Sequence, residues 1–318
     1  MKSYLVTGGA GFIGSHIVEE LVGRGEKVRV LDNFLTGKRE NIAPFLDRIE
    51  LIEGDIRDPE TCRRAVEGMN YVLHQAALPS VPRSIEDPLL TNEINVNGTL
   101  NMLWASVGAG IKRFVFASSS SVYGDDERLP QKEGHEGRPL SPYALSKLIG
   151  EKYGRLFCMV YGLEVIALRY FNIFGPRQDP FSQYAAAIPL FITKIIAGER
   201  PLIFGDGEQS RDFTYVSNVV GANLRAAHAP AEAAGGVYNI ACGERTTVNI
   251  LAAEINRLAG TSVVAVHADP RPGDIRHSFA DISRAREVMG FDPQVSFKDG
   301  LKRTVAWHRE RSSHEPRI

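Results

Sequence analysis

Two side chains four residues apart could carry out one proton transfer. In the segment 143–147, YALSK, the phenol of Tyr143 and the ammonium of Lys147 stand at positions i and i+4, which share one face of a helix. A phenol has an ordinary pKa of about 10. We predict that the lysine cation lowers the pKa of Tyr143 and gives a general base that removes a proton from an alcohol near neutral pH. Taken alone, this spacing is more typical of a surface contact, so its meaning depends on the rest of the chain.

A glycine-rich turn near the first residue favours a phosphate-containing cofactor. Thr7–Gly14, TGGAGFIG, follows the apolar run Tyr4–Val6 and leads into helical apolar spacing. We expect Gly8 to permit a tight turn, Gly11 to let a phosphate approach the backbone, and Gly14 to allow close helix–strand packing. The first N–H groups and the positive dipole end of the helix would then attract an anion. A plain structural turn is the alternative for such a glycine cluster.

Asp32 makes the cofactor interpretation more specific. It ends the next apolar run, Val28–Leu31, about where an acidic residue binds the adenosine ribose hydroxyls of a dinucleotide. A carboxylate there repels a 2′-phosphate, so the sequence predicts NAD rather than NADP. Arg29 lies inside the strand and is not placed to bind that phosphate.

Alternating strands and helices must position these residues. The predicted strands are Tyr4–Val6, Val28–Leu31, Ile49–Ile52, Tyr71–His74, Arg113–Phe116 and Glu164–Leu168. The predicted helices between them include Pro59–Glu67, about Pro88 to Val107, and Pro142–Tyr161. This alternation predicts an α/β fold with a doubly wound parallel sheet of the Rossmann type, in which ligands sit at the carboxyl ends of the strands. The residues expected at that edge are Asp32, Asp55, Ala76, Ser119 and Asn172.

The regular alternation stops after the segment 174–177, FGPR, where proline and glycine become frequent. We predict a smaller mixed α/β cap domain over the strand ends, formed by residues about 172–211 and 242–318. The dinucleotide-binding domain would comprise residues 1–171 with about 212–241. In this part of the chain we predict the helix Val219–His228, the strand Val237–Ile240, and the cap helices Thr247–Ala259 and Phe297–His308.

The composition of the chain excludes several functional classes. Its 318 residues are 43% hydrophobic and 24% charged, which is ordinary for a globular protein. A net charge of −1 gives no electrostatic argument for binding nucleic acid or an anionic membrane. The three cysteines suggest neither a disulfide framework nor a metal site, which together with the lack of a signal-peptide pattern predicts a cytoplasmic protein without a metal. The longest apolar stretch, Ala185–Ile196, is too short to span a bilayer.

With these motifs together, the chain resembles the extended short-chain dehydrogenase/reductase family, and within it the NAD-dependent nucleotide-sugar 4-epimerases, over nearly its whole length. The resemblance implies that Ser119, Tyr143 and Lys147 are catalytic. It implies that the asparagine of the segment 169–172, RYFN, contacts sugar or diphosphate. It further implies that arginines in the segments 205–213, GDGEQSRDF, and 271–274, RPGD, clamp the diphosphate, with an aspartate near the uridine ribose.

The same resemblance assigns two sets of binding residues. The expected NAD-binding residues are Gly8, Gly11, Phe12, Ile13, Asp32, Asn33, Gly37, Asp55, Ile56, Gln75, Ala76, Ala77, Asn95, Ala117, Tyr143, Lys147 and Tyr170. The expected substrate-binding residues are Ser80, Val81, Ser119, Ser120, Ser121, Asn172, Ala187, Ile188, Ile203, Phe204, Arg211, Arg271, Asp274 and Ser278.

The implied activity is C4 epimerisation of a UDP-sugar through a transient 4-keto intermediate, with NAD retained between turnovers. Related dehydratases and decarboxylases carry an acid beside the catalytic serine or threonine, whereas Ser119 is followed by two serines and a valine. Members that release NADP are disfavoured by Asp32. A protein that only binds NAD or a nucleotide sugar stays open as a different class, although the intact catalytic residues argue against it.

Which sugar is bound is a narrower question. Leu78–Ile85, Gln178–Pro180, Tyr184–Ala186 and Arg276–Ser278 are similar to segments of bacterial UDP-N-acetylglucosamine 4-epimerases. Ser278 aligns with a position that limits pocket size in this family, so a serine leaves room for an N-acetyl group. We therefore expect UDP-N-acetylglucosamine first, with UDP-glucose beside it. The alternatives are a UDP-glucuronate 4-epimerase and a 4-epimerase that acts on UDP-glucose only. The resemblance also implies a homodimer, formed through a four-helix bundle by the two long helices near Pro88–Val107 and Pro142–Tyr161.

Overall fold

The computed structural model describes residues 1–180, 187–270 and 276–314. The strands are β1 (Ser3–Thr7), β2 (Lys27–Asp32), β3 (Ile49–Glu53), β4 (Tyr71–His74), β5 (Arg113–Ser119), β6 (Val165–Tyr170), β7 (Ile173–Phe174), β8 (Leu202–Phe204), β9 (Ser210–Arg211), β10 (Thr214–Tyr215), β11 (Val237–Ile240), β12 (Thr246–Thr247) and β13 (Val266–Ala268). The α-helices are α1 (Phe12–Gly23), α2 (Pro59–Val66), α3 (Val81–Glu86), α4 (Pro88–Asn92), α5 (Thr99–Gly108), α6 (Pro142–Tyr161), α7 (Ala187–Ile196), α8 (Val216–Ala227), α9 (Val248–Ala259), α10 (Ser283–Met289) and α11 (Phe297–His314).

Seven parallel strands form the central sheet in the order β11-β6-β5-β4-β1-β2-β3. The chain winds from β1 to β3 in one direction and from β4 to β11 in the other, so the carboxyl ends of β1 and β4 flank the switch point of the sheet. Strand β1 is buried at every position, as expected when helices cover both faces. The predicted doubly wound α/β fold is confirmed.

The buried apolar side chains of the described residues form three clusters. One cluster packs α1 and α8 against one face of the sheet, and a second packs α2, α5 and α6 against the other. The third cluster joins α7, α9 and α11 with the short strands of the cap, around residues such as Phe174, Phe191 and Leu251. This separate cluster supports the two-domain division, whose boundaries stay a prediction.

One predicted long helix is divided in the structure. The region expected to form a helix from about Pro88 to Val107 consists of α4, a π-helical turn at Glu93–Gly98, and α5. Asn95 in this turn is buried and hydrogen bonds to the backbone of Leu78. Such single turns place an extra residue in the helix and redirect its side chains.

Helix α6, which carries the candidate base, has clear boundaries. The Ser141 hydroxyl accepts a hydrogen bond from the Ala144 N–H at 3.1 Å, and proline occupies the first helical turn. The Ser84 hydroxyl on α3 accepts the N–H of Tyr143, also at 3.1 Å. Gly162, in the left-handed conformation, ends the helix.

Among the described residues, no helix is both long enough and apolar enough to cross a bilayer. In the same residues, no group of three His, Cys, Asp or Glu side chains is arranged to hold a metal ion.

Candidate active site

A cavity of about 590 Å³ opens at the switch point of the sheet. All of the expected NAD-binding residues except Asn95 line it. The predicted residues found there are Gly8, Gly11, Phe12, Ile13, Asp32, Asn33, Gly37, Asp55, Ile56, Gln75, Ala76, Ala77, Ala117, Tyr143, Lys147 and Tyr170. Sixteen positions scattered over the first 170 residues therefore meet on one surface, which we call the first cavity.

The glycine turn has the geometry of a dinucleotide cradle. Gly8 has a φ of +65°, and a Cβ added there would lie 2.8 Å from the Ala76 nitrogen. A Cβ on Gly14 would lie 2.1 Å from the Gly8 carbonyl oxygen. Gly11 is the residue before α1 and offers no side chain to accept hydrogen bonds from the first-turn amides. A diphosphate fits this cradle, because its oxygens would accept those hydrogen bonds at the positive end of the helix.

Asp32 lies in the first cavity next to the glycine turn. Its carboxylate accepts hydrogen bonds from the Ala10 N–H at 2.9 Å and the Phe34 N–H at 2.8 Å. Burial is the largest effect on this group and raises its pKa. A Cβ on Gly37 would lie 2.9 Å from both carboxylate oxygens, so glycine keeps this approach open.

A second carboxylate lies on the same side. Asp55 accepts a hydrogen bond from the Asn33 amide at 2.7 Å, and its ion pair with Arg57 lowers its pKa to about 2. Arg29 points away from the cavity, to backbone carbonyls at the end of α2 and to Glu50. Two acids and this orientation of Arg29 favour ribose hydroxyls over a 2′-phosphate, as the sequence predicted.

Three polar side chains, of which Tyr170 and Asn223 are buried and Gln75 is partly buried, form a ring of hydrogen bonds at the first cavity. The Tyr170 hydroxyl donates to Gln75 Oε1 at 3.1 Å, and Asn223 Nδ2 donates to the same hydroxyl at 2.8 Å. Gln75 Nε2 in turn donates to Asn223 Oδ1 at 3.0 Å. Asn223, on α8, was not predicted, because nothing in its local sequence marks a residue that reaches another strand end.

Ser119, Tyr143 and Lys147 converge on the floor of the first cavity. The Lys147 ammonium donates to the Ala117 carbonyl oxygen at 2.8 Å, and burial lowers its pKa to about 7. The Ser119 hydroxyl accepts hydrogen bonds from the N–H and the hydroxyl of Ser121, at 3.2 and 2.9 Å. The three predicted catalytic residues thus lie together, although they come from two different elements.

The pKa of Tyr143 is raised, whereas the sequence predicted that Lys147 would lower it. Burial raises the pKa of Tyr143, and a side-chain hydrogen bond with Ser119 lowers it by less. The Lys147 nitrogen lies 6.0 Å from the centre of the Tyr143 ring and is directed to a carbonyl oxygen instead. The i, i+4 spacing gave the shared helix face correctly, but it could not show that burial is the largest effect on the phenol.

A second cavity, of about 310 Å³, lies between the strand ends and the cap. Six of the expected substrate-binding residues line it: Asn172, Ala187, Ile188, Ile203, Phe204 and Arg211. Asn172 and Ile173 line both cavities, so the two adjoin. Asn172 has a φ of +42°, and its side-chain nitrogen donates to the Asp212 carbonyl oxygen at 3.1 Å.

Among the described residues that line the second cavity, Arg211 is the one Lys or Arg side chain. Its Nη1 donates to the carbonyl oxygens of Ser210, at 3.0 Å, and Arg276, at 3.3 Å. The next residue, Asp212, is fully buried and accepts the N–H groups of Cys242 and Gly243, each at 3.0 Å. Burial raises the pKa of Asp212 to about 6. Backbone contacts therefore fix the position from which Arg211 reaches the cavity.

A family model described as the NAD dependent epimerase/dehydratase family matches residues 4–241. The chain belongs to this family. A putative UDP-glucose 4-epimerase of Methanocaldococcus jannaschii is 43% identical over 305 residues, which cover 95% of this chain and 97% of the relative.

Two solved structures show how far the similarity extends. The UDP-N-acetylglucosamine 4-epimerase from Methanobrevibacter ruminantium, in complex with UDP-N-acetylmuramic acid, has a TM-score of 0.93 and 43% identity, covering 98% of this chain and 99% of that chain. The UDP-glucose 4-epimerase of Thermus thermophilus, in complex with NAD, has a TM-score of 0.88 and 38% identity, covering 96% and 99%. Membership of this NAD-dependent epimerase/dehydratase family confirms the predicted resemblance and the predicted cofactor.

Several predicted residues of this family member lie outside the linings of the two cavities. Asn95 hydrogen bonds to Leu78 and to the Ser146 hydroxyl. Ser80 caps α3 by accepting the Arg83 N–H. Ser278 is buried, and its hydroxyl donates to Gln131 at 3.4 Å. Other predicted substrate residues, Val81, Ser119, Ser120 and Ser121, line the first cavity. Arg271 and Asp274, like the segment 184–186, lie outside the described residues.

Sequence reasoning missed a buried polar chain beneath the glycine turn. The Thr7 hydroxyl pairs with His74 Nδ1 at 2.8 Å, and the Thr99 hydroxyl pairs with Nε2 at 3.1 Å. The Thr99 hydroxyl donates to the Asn95 carbonyl oxygen, which leaves it to accept from Nε2–H. Burial lowers the pKa of His74 to about 3, so the imidazole is neutral. The signal available in the sequence was a histidine at the end of an apolar strand.

Proposed function

We propose that this protein is an NAD-dependent UDP-sugar 4-epimerase. The observation that carries the proposal is that Tyr143 and Ser119 line the dinucleotide cavity, which adjoins the cavity that holds Arg211 at Asn172 and Ile173. A nucleotide diphosphate in the second cavity would extend its sugar over these two hydroxyls. NAD would be held by the glycine cradle and Asp32.

The residues of the chain divide the chemistry as follows. Tyr143 removes the proton from the sugar 4-hydroxyl, and its hydrogen bond with Ser119 favours the phenolate against the effect of burial. NAD, when bound, supplies hydride transfer at C4 in both directions. The 4-keto sugar then turns over in the first cavity, so that hydride would return to the other face of C4, and Tyr143 returns the proton to the 4-oxygen. Binding energy from the nucleotide retains the ketone during this rotation.

Retention of NAD belongs to the same proposal. Because no net oxidation occurs, one bound NAD serves many turnovers, and it should remain with the protein through purification. A protein that is isolated without NAD, and that acts only as a net oxidant of its substrate, would contradict this part of the proposal.

The favoured substrate pair is UDP-N-acetylglucosamine and UDP-N-acetylgalactosamine, with UDP-glucose and UDP-galactose beside it. Support comes from the segments named above and from the similarity to the Methanobrevibacter enzyme. The contribution of Ser278 to the size of the pocket stays a prediction.

The charges in the first cavity favour a neutral sugar over the glucuronate of UDP-glucuronate. Among the described residues that line the first cavity, Lys147 is the one Lys or Arg side chain, and its ammonium already donates to Ala117. A hexuronate carboxylate at C6 would therefore find no cationic partner among these residues, whereas a neutral hexose needs none.

The deciding experiment follows the equatorial and axial C4 protons by NMR while the protein acts on each UDP-sugar separately. We expect conversion of UDP-N-acetylglucosamine to its galacto-epimer without net oxidation. Faster conversion of UDP-glucose or UDP-glucuronate would replace the favoured substrate. No conversion of any of the three, with NAD bound, would support the binding-protein alternative.

The predicted homodimer is part of the proposal as well. Large apolar side chains on the two long helical segments are exposed, including Leu89, Trp104 and Met159 at 77%, 59% and 75%. A second copy would bury these side chains in a four-helix bundle. Sedimentation of the purified protein as a monomer at micromolar concentration would contradict it.

A further inference from the structure

A buried ion pair lies directly behind the catalytic residues. Arg169 on β6 donates from Nε to Glu151 Oε1 at 2.8 Å and from Nη2 to Oε2 at 2.7 Å. The two side chains are 1% and 4% exposed. Ion pairs this deeply buried often contribute little net stability compared with apolar side chains of similar volume. The role of this pair therefore lies in the elements that it holds in place.

The carboxylate joins three elements. Besides Arg169, Glu151 Oε1 accepts a hydrogen bond from the Ser118 hydroxyl on β5 at 2.5 Å. Ser118 directly precedes Ser119, the hydroxyl at the floor of the first cavity. One side chain on α6 thus contacts the two central strands whose ends carry the site.

Three consecutive residues of β5 each contact α6. The Ala117 carbonyl accepts from Lys147, Ser118 donates to Glu151, and Ser119 shares a hydrogen bond with Tyr143. The three helix residues stand at i, i+4 and i+8, which is one face of a helix. The contact is close, because a Cβ on Gly150 would lie 2.3 Å from the Phe116 ring.

We propose that Glu151 is a positioning residue, which fixes the rotation and register of α6 on the carboxyl end of β5 and so aims the Tyr143 hydroxyl at Ser119. Lys147 and Tyr143 line the first cavity, whereas Glu151 acts only through Ser118 and Arg169. Small displacements of a base from its proton can lower a rate by about a hundredfold. Only the kinetic test of this proposal rests on the proposed function.

The test uses two variants of different severity. Ser118→Ala removes the link between β5 and the carboxylate but leaves the ion pair intact, and Glu151→Gln removes the charge with little change of shape. We expect kcat on the UDP-sugar to fall about tenfold in Ser118→Ala and about a hundredfold in Glu151→Gln, with KM and bound NAD unchanged in both variants. Ser118→Thr, which keeps the hydroxyl, should restore kcat.

Two matched controls separate positioning from stability. Ser106→Ala removes a buried hydroxyl that bonds within α5, and Glu136→Gln removes a second carboxylate that contacts Arg169 but not β5. Both should keep kcat within twofold of the parent. If Ser118→Ala and Glu151→Gln lower only the melting temperature, or change KM or bound NAD instead of kcat, the proposal is wrong.

Crystal structures of the two variants make the test independent of activity. We expect the Ser119 Oγ to Tyr143 Oη separation to change in Glu151→Gln, with α6 displaced along β5. An unchanged separation would overturn the positioning role even if the parent protein were inactive on every UDP-sugar. Inactivity of the parent with a displaced helix would instead count against the proposed function alone.

Discussion

The two adjoining cavities are built in different ways. The first cavity lies at the ends of long parallel strands, and backbone geometry forms most of it: a glycine turn, the start of α1 and the hydrogen bonds around Asp32. The second cavity lies among strands of two or three residues, such as β8 and β9, which pair with β13 and β12 from much later in the chain. A cofactor site of the first kind depends mainly on local motifs, whereas the second depends on long-range packing. Variants in the first cavity should therefore change chemistry or NAD content, and variants in the second should change UDP affinity.

The largest expected effect tests the chemistry of the first cavity. Replacing Tyr143 with Phe removes the proposed general base, and kcat should fall by about 10³-fold while bound NAD and UDP affinity stay unchanged. Steady-state kinetics and the absorbance of extracted NAD measure these quantities. Tyr153→Phe, on the same helix, is the control and should be fully active. Normal turnover by Tyr143→Phe would exclude the assigned base.

The second largest expected effect tests the glycine turn that forms the dinucleotide cradle. Gly14→Ala would place a Cβ 2.1 Å from the Gly8 carbonyl oxygen, so the turn must shift and NAD should be lost during purification. Gly23→Ala, at the other end of α1, has nothing within 4 Å of the added carbon and serves as the matched control. A Gly14→Ala protein with a full complement of NAD would show that the cradle tolerates a side chain.

A smaller effect tests the second cavity. Arg211→Gln should weaken UDP binding by roughly ten- to a hundredfold, because charge-assisted hydrogen bonds contribute about 1.5–3 kcal/mol. Bound NAD should stay unchanged, which distinguishes the two cavities. Isothermal titration with UDP measures the effect, and Arg257→Gln on the outer surface of α9 is the control. Loss of NAD in Arg211→Gln would contradict the assignment of NAD binding to the first cavity and UDP binding to the second.

The smallest effects concern stability and have opposite signs in the two regions. His74 has a folded pKa of about 3, so between about pH 6.5 and 3 the unfolded chain binds one more proton and the free energy of unfolding falls on acidification. Asp212 has a folded pKa of about 6, so between about pH 6 and 4 the folded chain binds the extra proton and the free energy rises. Each contributes a slope of at most about 1.4 kcal/mol per pH unit.

Urea denaturation of the variants from pH 7 to pH 4.5 measures these slopes. His74→Asn should lose less stability per pH unit than the parent protein on acidification, and Asp212→Asn should lose more. Equal slopes in both variants and the parent would show that neither burial effect controls the acid stability.

The sequence predicted the first cavity well because its signals are local. The glycine spacing, Asp32 at a strand end, and the Tyr143–Lys147 spacing each lie within one strand, turn or helix. The fold followed from the alternation of strands and helices for the same reason. Asn95, in a π-helical turn, hydrogen bonds to Leu78 and does not line the first cavity, so its expected contact with the cofactor stays a prediction.

Other features depend on partners that are distant in the chain. The pairing of Glu151 with Arg169 and Ser118 was not predicted, although Glu151 follows Lys147 at helical spacing, because the partners lie on two separate strands. The ring of Gln75, Tyr170 and Asn223 was missed for the same reason.

By itself, the sequence determined which groups this protein has for chemistry: a glycine turn for a diphosphate, an acid for a ribose, and a phenol with a lysine on one helix face. These follow from backbone geometry and helical periodicity, which act over a few residues. Only the tertiary structure decided the electrostatics, since burial raises the pKa of Tyr143 and lowers that of Lys147. Burial results from packing against residues far away in the chain, and the resulting desolvation is the largest effect on both groups, which spacing alone could not show.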